Sequence, residues 1–392
     1  MLTPLGRERL TPEFLRDKVG VEIKSFGNLA GVGTPVTAVE GKNTLVSFPC
    51  RFTATTVNIQ LTVNDASQIA GLYLRPAEAP LPPQRQQPSY SNRARFAERE
   101  VSIGIDPWKL GGTLAMPKGA GPFPAIVLVH GPGPNDRDET LYSNRIFKDL
   151  AEGLASQGIA VLRYDKRTKV YGEKMADLDY TVEQETVADA VQAVAFLRSQ
   201  PGIDPGRVSL LGHSLGGYLA PRIAAKDSKL AGIILLAANA RPIEDVTLDQ
   251  FTYVAKLGGA SAPEVQKRLE LLKGEVAKVK SLGPGKQNPP VVMGLRSTYL
   301  LDLKGYDAPG SIKRTGLPVL VLQGERDFQV TMADFSLWKA ALGAAATYKA
   351  YPALNHLFIS SQQKSTPAEY RVPGNVAPEV IADISAWVKR AK

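Results

Sequence analysis

The chain has few of the residues that form disulfides and metal sites. Its 392 residues include one cysteine, Cys50, and three histidines. A single cysteine cannot form an intramolecular disulfide, and it excludes zinc sites built on cysteines. Three histidines also argue against a histidine-rich metal site, so we expect neither a metal nor a cofactor. The longest apolar run, 230–238, has the length of a strand, so no integral membrane segment is expected.

The charge of the chain is unbalanced but is not concentrated in one place. The formal net charge is +9, from 47 lysine and arginine residues against 38 acidic residues. The cations are spread along the chain without an RNA-binding motif, so we expect no nucleic-acid partner. The first residues, Met1 to Pro4, do not form a signal peptide. We therefore expect a cytoplasmic protein as the chain stands, or a periplasmic or secreted one if a leader has been removed.

The chain contains successive regions that differ in composition and in the spacing of their apolar residues. Residues 1–75 combine a helix start at 11–13 with period-two strands, which predicts a small α+β domain. Residues 76–99 are rich in proline and glutamine and predict a semi-rigid linker. From 100 to 392, continuous apolar strands alternate with amphipathic helices, which predicts a doubly wound, mostly parallel α/β sheet. A helical segment at about 240–315 interrupts this alternation and predicts a cap insertion.

The most informative motif is Gly-His-Ser-Leu-Gly at 212–216. It lies between an apolar run at 208–211 and a helical pattern at 218–226. In this context Gly-x-Ser-x-Gly is typical of a nucleophile elbow, in which a tight strand-to-helix turn exposes Ser214. The glycines are needed because side chains there would clash where strand and helix nearly touch. The alternative interpretation is an ordinary turn in which the serine caps the helix.

A serine nucleophile requires a base, and the base requires a carboxylate that fixes its tautomer. His356 remains as the predicted base once His213 and His130 are given other roles, and it follows a predicted strand at 347–351 and precedes the last helix. His213 is predicted to support the elbow, and His130 to shape the neighbouring loop. Asp327 follows the predicted strand 318–322 and is the predicted carboxylate, with Glu325 as its competitor.

The oxyanion hole requires two amide donors. The amide of Leu215, directly after the serine, is one prediction. The second is expected from the loop at 130–134, in which Pro132 and Pro134 have no N–H. Gly133 or Gly131 is therefore expected to supply it, with Gly133 ranked first, unless the loop bends so that a later amide does.

These motifs together resemble the α/β-hydrolase superfamily, in particular bacterial carboxylesterases and serine-aminopeptidase-like hydrolases. The resemblance covers about residues 100–392. It includes the loop Gly-Pro-Gly-Pro-Asn-Asp-Arg-Asp at 131–138, the strand end Arg-Tyr-Asp-Lys-Arg at 163–167, the serine motif and Gly-x-x-Asp at 324–327. It implies an α/β-hydrolase fold and cofactor-free hydrolysis of carboxylic esters with short to medium acyl chains. The chain departs from the pattern at 168–170 and at Pro132.

Three functions are consistent with the residues. The first is a carboxylesterase that acts on a small-molecule ester through an acyl-enzyme on Ser214. The second uses the same three residues as a peptidase, an acyl-aminoacyl hydrolase or an acyl-CoA thioesterase. The third, least favoured, is a non-catalytic binding protein. The sequence leaves open the role of the N-terminal domain and whether the chain forms a homodimer.

Overall fold

The chain divides into two compact units, Met1–Pro83 and Gln84–Lys392. Three of the five prolines of the predicted linker lie at 77–85, outside the described residues. The computed structural model describes residues 2–3, 7, 10–40, 43–76, 86–176, 178–257, 263–285, 287–362 and 364–390.

The first unit contains a helical segment and an antiparallel sheet. The helical segment begins at Pro12, where Thr11 caps it, and ends at Ser25. The strands are β1 (Leu29–Val32), β2 (Val36–Glu40), β3 (Asn43–Phe52), β4 (Thr56–Val63) and β5 (Ile69–Pro76). The sheet has the order β1-β3-β4-β5, and β2 pairs with β3. The predicted helix and the predicted strands β3, β4 and β5 are confirmed, whereas β1 and β2 were not predicted.

The second unit is built on an eight-stranded sheet. Its strands are β6 (Phe96–Ile103), β7 (Leu110–Pro117), β8 (Phe123–Val129), β9 (Ala160–Tyr164), β10 (Ile203–His213), β11 (Gly232–Leu236), β12 (Val319–Gly324) and β13 (Ala346–Tyr351). In the described residues their order is β13-β12-β11-β10-β8-β9-β7-β6, where β8 to β13 are parallel and β6 and β7 antiparallel. The predicted doubly wound sheet is confirmed.

Two apolar clusters cover the two faces of this sheet, because each central strand contains a buried apolar run whose side chains point alternately to the two faces. No helix in the described residues is long and apolar enough to cross a bilayer. The main helices are Ile146–Ser156, Ala188–Arg198, Leu215–Lys226, Ile243–Leu257, Pro263–Ser281, Ser297–Leu303, Ala308–Thr315, Met332–Leu342 and Pro378–Arg390.

The structure corrects two predicted boundaries. Residues 96–99, assigned to the linker, are the start of edge strand β6, whose exposed charged residues hid the strand pattern. The helix Ala308–Thr315, assigned to the cap insertion, packs through Ala308 and Ile312 into a core cluster of the sheet. The insertion that interrupts the sheet is therefore shorter at its C-terminal end than the predicted 240–315.

Candidate active site

Ser214 lies at the sharp turn between β10 and the helix Leu215–Lys226. Its φ is 53° and its ψ is −122°, a conformation that non-glycine residues rarely adopt. Backbone strain of this kind persists where the surrounding structure imposes it, and it is typical of functional sites. The serine side chain does not cap the helix, so the turn is not the ordinary capped turn that was the alternative.

The glycines of the motif allow the strand and the helix to approach each other. A Cβ on Gly212 would lie 2.4 Å from the carbonyl carbon of Gly216. A Cβ on Gly216 would lie 2.3 Å from the carbonyl oxygen of Val129 and 2.6 Å from that of His130. Both clashes involve backbone atoms that cannot turn away. The predicted clash between strand and helix is therefore confirmed at Gly212, whereas at Gly216 the close contact is with the end of the neighbouring strand β8.

We expect Gly216→Ala to destabilise the protein by at least about 3 kcal/mol, because the new methyl group meets the backbone of β8. Urea unfolding measures the loss. Gly274→Ala is the matched control, since its Cβ would have no atom within 4 Å. Gly274 lies inside a helix, so alanine there should raise stability by up to about 1 kcal/mol. Equal effects of the two substitutions would contradict the steric explanation.

The structure brings His356 and Asp327 together. Nδ1 of His356 lies 2.6 Å from Oδ2 of Asp327, and both side chains are buried. Oδ2 also accepts a hydrogen bond from Nε2 of Gln323 at 3.1 Å, while Oδ1 accepts from the amides of Gln329 and Val330 at 2.8 and 3.0 Å. The carboxylate is thus fixed in position, and because it accepts from Nδ1–H, it leaves Nε2 of His356 able to accept a proton.

The loops that carry these two side chains are joined by their backbones. The amides of Glu325 and Arg326 donate to the carbonyls of Tyr351 and Leu354, each at 3.0 Å. Gly324 permits this contact, because a Cβ there would lie 2.4 Å from the Leu354 carbonyl oxygen. Glu325, the predicted competitor of Asp327, has an exposed side chain.

The other two histidines are buried on either side of the turn. His213 ends β10 and contacts Glu139 and the backbone of His356, which agrees with its predicted supporting role. His130 follows β8, and its Nε2 lies 3.1 Å from the carbonyl oxygen of Asp136. Burial lowers the pKa of His130 to about 4, so its ring is neutral near pH 7.

The neutral state of His130 makes stability depend on pH. Its pKa is about 4 in the folded protein against 6.5 for the free side chain, so only the unfolded chain takes up a proton between these values. The stabilisation is complete above pH 6.5 and is lost as the pH falls to 4, by about 3 kcal/mol in total. We therefore expect the stability difference between wild type and His130→Gln to shrink by about this amount from pH 7 to pH 4. A difference that stays constant would contradict the buried neutral histidine.

The structure differs from the prediction at the loop 130–134, which we call the oxyanion loop. The Gly131 peptide lies next to Ser214, but its amide donates to Oε1 of Glu139 at 2.6 Å. Gly133 lines a different cavity, of about 280 Å³, which does not include Ser214. In this structure the Gly131 amide is therefore engaged by a carboxylate, and Gly133 is not among the residues that line the cavity of Ser214. Leu215, the first residue of the helix, lines the cavity of Ser214, and amides at helix starts have no partner within the helix.

The candidate site is a cavity of about 240 Å³ that both Ser214 and His356 line. Its other walls come from the oxyanion loop, from residues 139–146, where Leu141 lies, and from the cap helix Ile243–Leu257, where Val246 lies. Leu357, directly after His356, also lines the cavity. No group of three histidine, cysteine, aspartate or glutamate side chains in the described parts of the chain is arranged to hold a metal ion.

Sequence reasoning missed two residues of this region, Gln323 and Glu139. Gln323 directly precedes Gly324 at the end of β12, and a polar residue ending an apolar strand is a signal that could have indicated it. Glu139 is buried and lines the cavity with φ at +48°, but nothing in the sequence separates it from the charged residues before it.

Comparison with known proteins identifies the family. The profile of the alpha/beta hydrolase family matches residues 126–370. The chain is 38% identical to Esterase EstD of Thermotoga maritima over 369 residues, which cover 94% of this chain and 84% of that protein. It is also 33% identical to Thiohydrolase aneE of Aspergillus aculeatus, over 34% of this chain and 38% of that protein. Among solved structures, Est1E from Butyrivibrio proteoclasticus is 16% identical with a TM-score of 0.47, over 74% of this chain and 98% of that one. The sequence, the elbow and the family profile together place this chain in the alpha/beta hydrolase family.

Proposed function

We propose that this protein is a serine hydrolase that cleaves carboxylic esters with short to medium acyl chains through an acyl-enzyme on Ser214. One observation carries the proposal: Ser214, on a strained elbow, lines the same cavity as His356, whose Nδ1 lies 2.6 Å from Asp327. The 38% identity to a protein named an esterase, over most of both chains, supports ester cleavage.

The reaction uses these side chains in two half-reactions. The Ser214 hydroxyl attacks the ester carbonyl while Nε2 of His356 takes its proton. Asp327 holds the ring and stabilises the imidazolium, and the Leu215 amide donates to the oxyanion. The C–O bond to the alcohol then breaks, and His356 gives its proton to the leaving oxygen. Water repeats the sequence against the acyl-serine, releasing the carboxylic acid and restoring Ser214.

The cavity favours a small neutral substrate. Its volume of about 240 Å³ lies below the range usual for drug-sized ligands. Glu139 is the only charged residue other than histidine among the described residues that line it, and both of its oxygens contact protein atoms. An aminopeptidase would need a carboxylate that is available to the substrate ammonium group. Ester hydrolysis is therefore better supported than peptide hydrolysis.

The decisive experiment is a p-nitrophenyl ester series from acetate to palmitate, with an aminoacyl anilide and an acyl-CoA as parallel substrates. We expect kcat/KM to be highest for short or medium acyl chains and to fall steeply towards palmitate. Diisopropyl fluorophosphate should label Ser214 stoichiometrically. Faster turnover of the anilide or the acyl-CoA would favour the second group of functions, and an unlabelled, inactive folded protein would contradict the serine mechanism.

We also propose that the N-terminal unit serves self-association and takes no part in the chemistry. All the residues assigned a chemical role belong to the second unit. The first unit exposes large apolar side chains on its strands, including Leu29, Val32, Val36 and Tyr73. Sedimentation of the full chain and of residues 84–392 tests this: a dimer that becomes a fully active monomer is expected, and a full chain that is monomeric would contradict it.

A further inference from the structure

Glu139 is a buried acidic residue beside the proposed catalytic serine. It is 8% exposed and lines the cavity of Ser214. Its φ of +48° lies in the left-handed region, which non-glycine residues occupy when contacts hold them there. The reaction proposed above assigns this carboxylate no part, so its contacts call for a separate explanation.

The two carboxylate oxygens contact two different parts of the site. Oε1 accepts the amide hydrogen of Gly131 at 2.6 Å. Oε2 lies 3.0 Å from Nδ1 of His213, the residue directly before Ser214. The ring N–H does not point straight at this oxygen, but 3.0 Å between such groups is the separation of a close ion pair. The carboxylate thus joins the oxyanion loop to the strand end of the elbow.

His213 extends the connection to the proposed base. Its Nε2 lies 3.1 Å from the backbone carbonyl oxygen of His356, and the two rings lie 4.7 Å apart. A carbonyl oxygen only accepts, so Nε2 must carry a hydrogen. A second hydrogen on Nδ1 would place a positive charge 3.0 Å from Oε2 of Glu139, and an ionised carboxylate at that distance stabilises it. A histidine with both ring nitrogens protonated is an imidazolium.

The electrostatics of the pair agree with this assignment. Burial acts to lower the pKa of His213, but the Glu139 carboxylate, the His356 carbonyl and Asp327 together outweigh it and raise that pKa above its usual value. Burial acts to raise the pKa of Glu139, but His213, His130 and the Gly131 amide together outweigh it and lower that pKa. Each partner therefore favours the charged form of the other.

The Gly131 peptide is held on its other side too. The buried ammonium group of Lys166 donates to the Gly131 carbonyl oxygen at 2.9 Å. Glu139 holds the Gly131 N–H and Lys166 holds the Gly131 C=O, so the two successive peptide groups that meet at the Gly131 Cα each have a fixed orientation beside Ser214. The oxyanion loop contacts Glu139, Glu139 contacts His213, and His213 contacts the backbone of the His356 loop, so these contacts fix the two loops relative to each other.

We infer that Glu139 and His213 form a buried ion pair that positions the oxyanion loop and the His356 loop relative to Ser214. Both are positioning residues, since neither exchanges a proton with the substrate in the proposed reaction. The inference rests on the proposed function, because it assumes that Ser214 and His356 carry out the chemistry.

A double-mutant cycle with Glu139→Ala and His213→Ala tests the coupling. We expect each single variant to lower kcat by about 10²-fold with little change in KM, as a misplacement of about 1 Å in the catalytic groups would. The double variant should lose no more than the worse single variant, because the pair acts as one unit. Rates are divided by the fraction of protein that fluorophosphonate titrates, so partial unfolding does not count as lost activity.

The conservative variant separates position from charge. Glutamine at 139 can still accept from the Gly131 amide and can donate to Nδ1 of a neutral His213, so Glu139→Gln should retain most of the activity. Glu152→Gln is the matched control, since Glu152 is fully buried and pairs with Arg93 and Ser91, which do not line the cavity. It should leave kcat unchanged. Single losses that multiply in the double variant, or a Glu139→Gln variant as poor as Glu139→Ala, would overturn the positioning role.

The charge state is measured without any substrate. In wild type with ¹⁵N-labelled histidine, the three histidines can be assigned with His130→Gln and His213→Gln. We expect both ring nitrogens of His213 to be protonated at pH 7, and Glu139→Gln to leave the proton on Nε2 alone. A neutral His213 in wild type would overturn the ion pair. Turnover that survives in Ser214→Ala would instead contradict the proposed function and leave this spectroscopic result as it stands.

Discussion

Replacing Ser214 with alanine should lower kcat by about 10⁶-fold, the largest effect we expect from any single substitution in this chain. Alanine removes the only atom that forms the acyl-enzyme, so neither half-reaction can proceed through it. KM for any residual turnover should change little, because the cavity walls stay in place. Steady-state hydrolysis of a short p-nitrophenyl ester measures the loss, and the thermal midpoint verifies that the variant is folded.

Ser209→Ala is the matched control for this substitution. Ser209 lies on the same strand and is 1% exposed, and its Oγ has no hydrogen-bond partner among the residues that the structure describes. Removing this hydroxyl should leave kcat unchanged and should not lower stability. If Ser214→Ala kept more than a small fraction of the activity, the acyl-enzyme on Ser214 would have to be abandoned.

Replacing Asp327 with asparagine should lower kcat by about 10⁴-fold while the fold is retained. The carboxylate accepts from Nδ1–H of His356, which leaves Nε2 free to take the serine proton. An asparagine amide facing Nδ1 would donate instead, which places the ring proton on Nε2. The base is then the wrong tautomer, although every atom of the site lies nearly where it was.

Glu325→Gln is the control, since Glu325 was the competing candidate and lies two residues from Asp327 with an exposed side chain. We expect it to keep wild-type kcat. The comparison is made on kcat and KM separately, because a lost tautomer lowers kcat and leaves KM nearly unchanged. A large loss in Glu325→Gln together with an active Asp327→Asn would reverse the assignment of the carboxylate.

The parts of the fold that could be predicted from the sequence are those indicated by a pattern within one short segment of the chain. The strands β8, β9, β10, β11 and β12 each contain a mainly apolar run, and such runs indicate strands buried on both faces. Edge strand β6 was missed because it includes Glu98, Arg99 and Glu100 and is only partly buried. It pairs antiparallel with β7, the next strand along the chain, but its exposed charged side chains leave no apolar run that would indicate a strand.

The sequence by itself determined the elbow, its steric need for Gly212 and Gly216, and the order of serine, acid and histidine along the chain. The elbow follows from residue types at a fixed spacing, and the order follows from the positions of Asp327 and His356 after predicted strands. Only the tertiary structure decided that the Gly131 amide is engaged and that Glu139 lies against His213. The physical reason is that a buried carboxylate takes its role from the donors that surround it, and folding brings those donors from separate strands and loops.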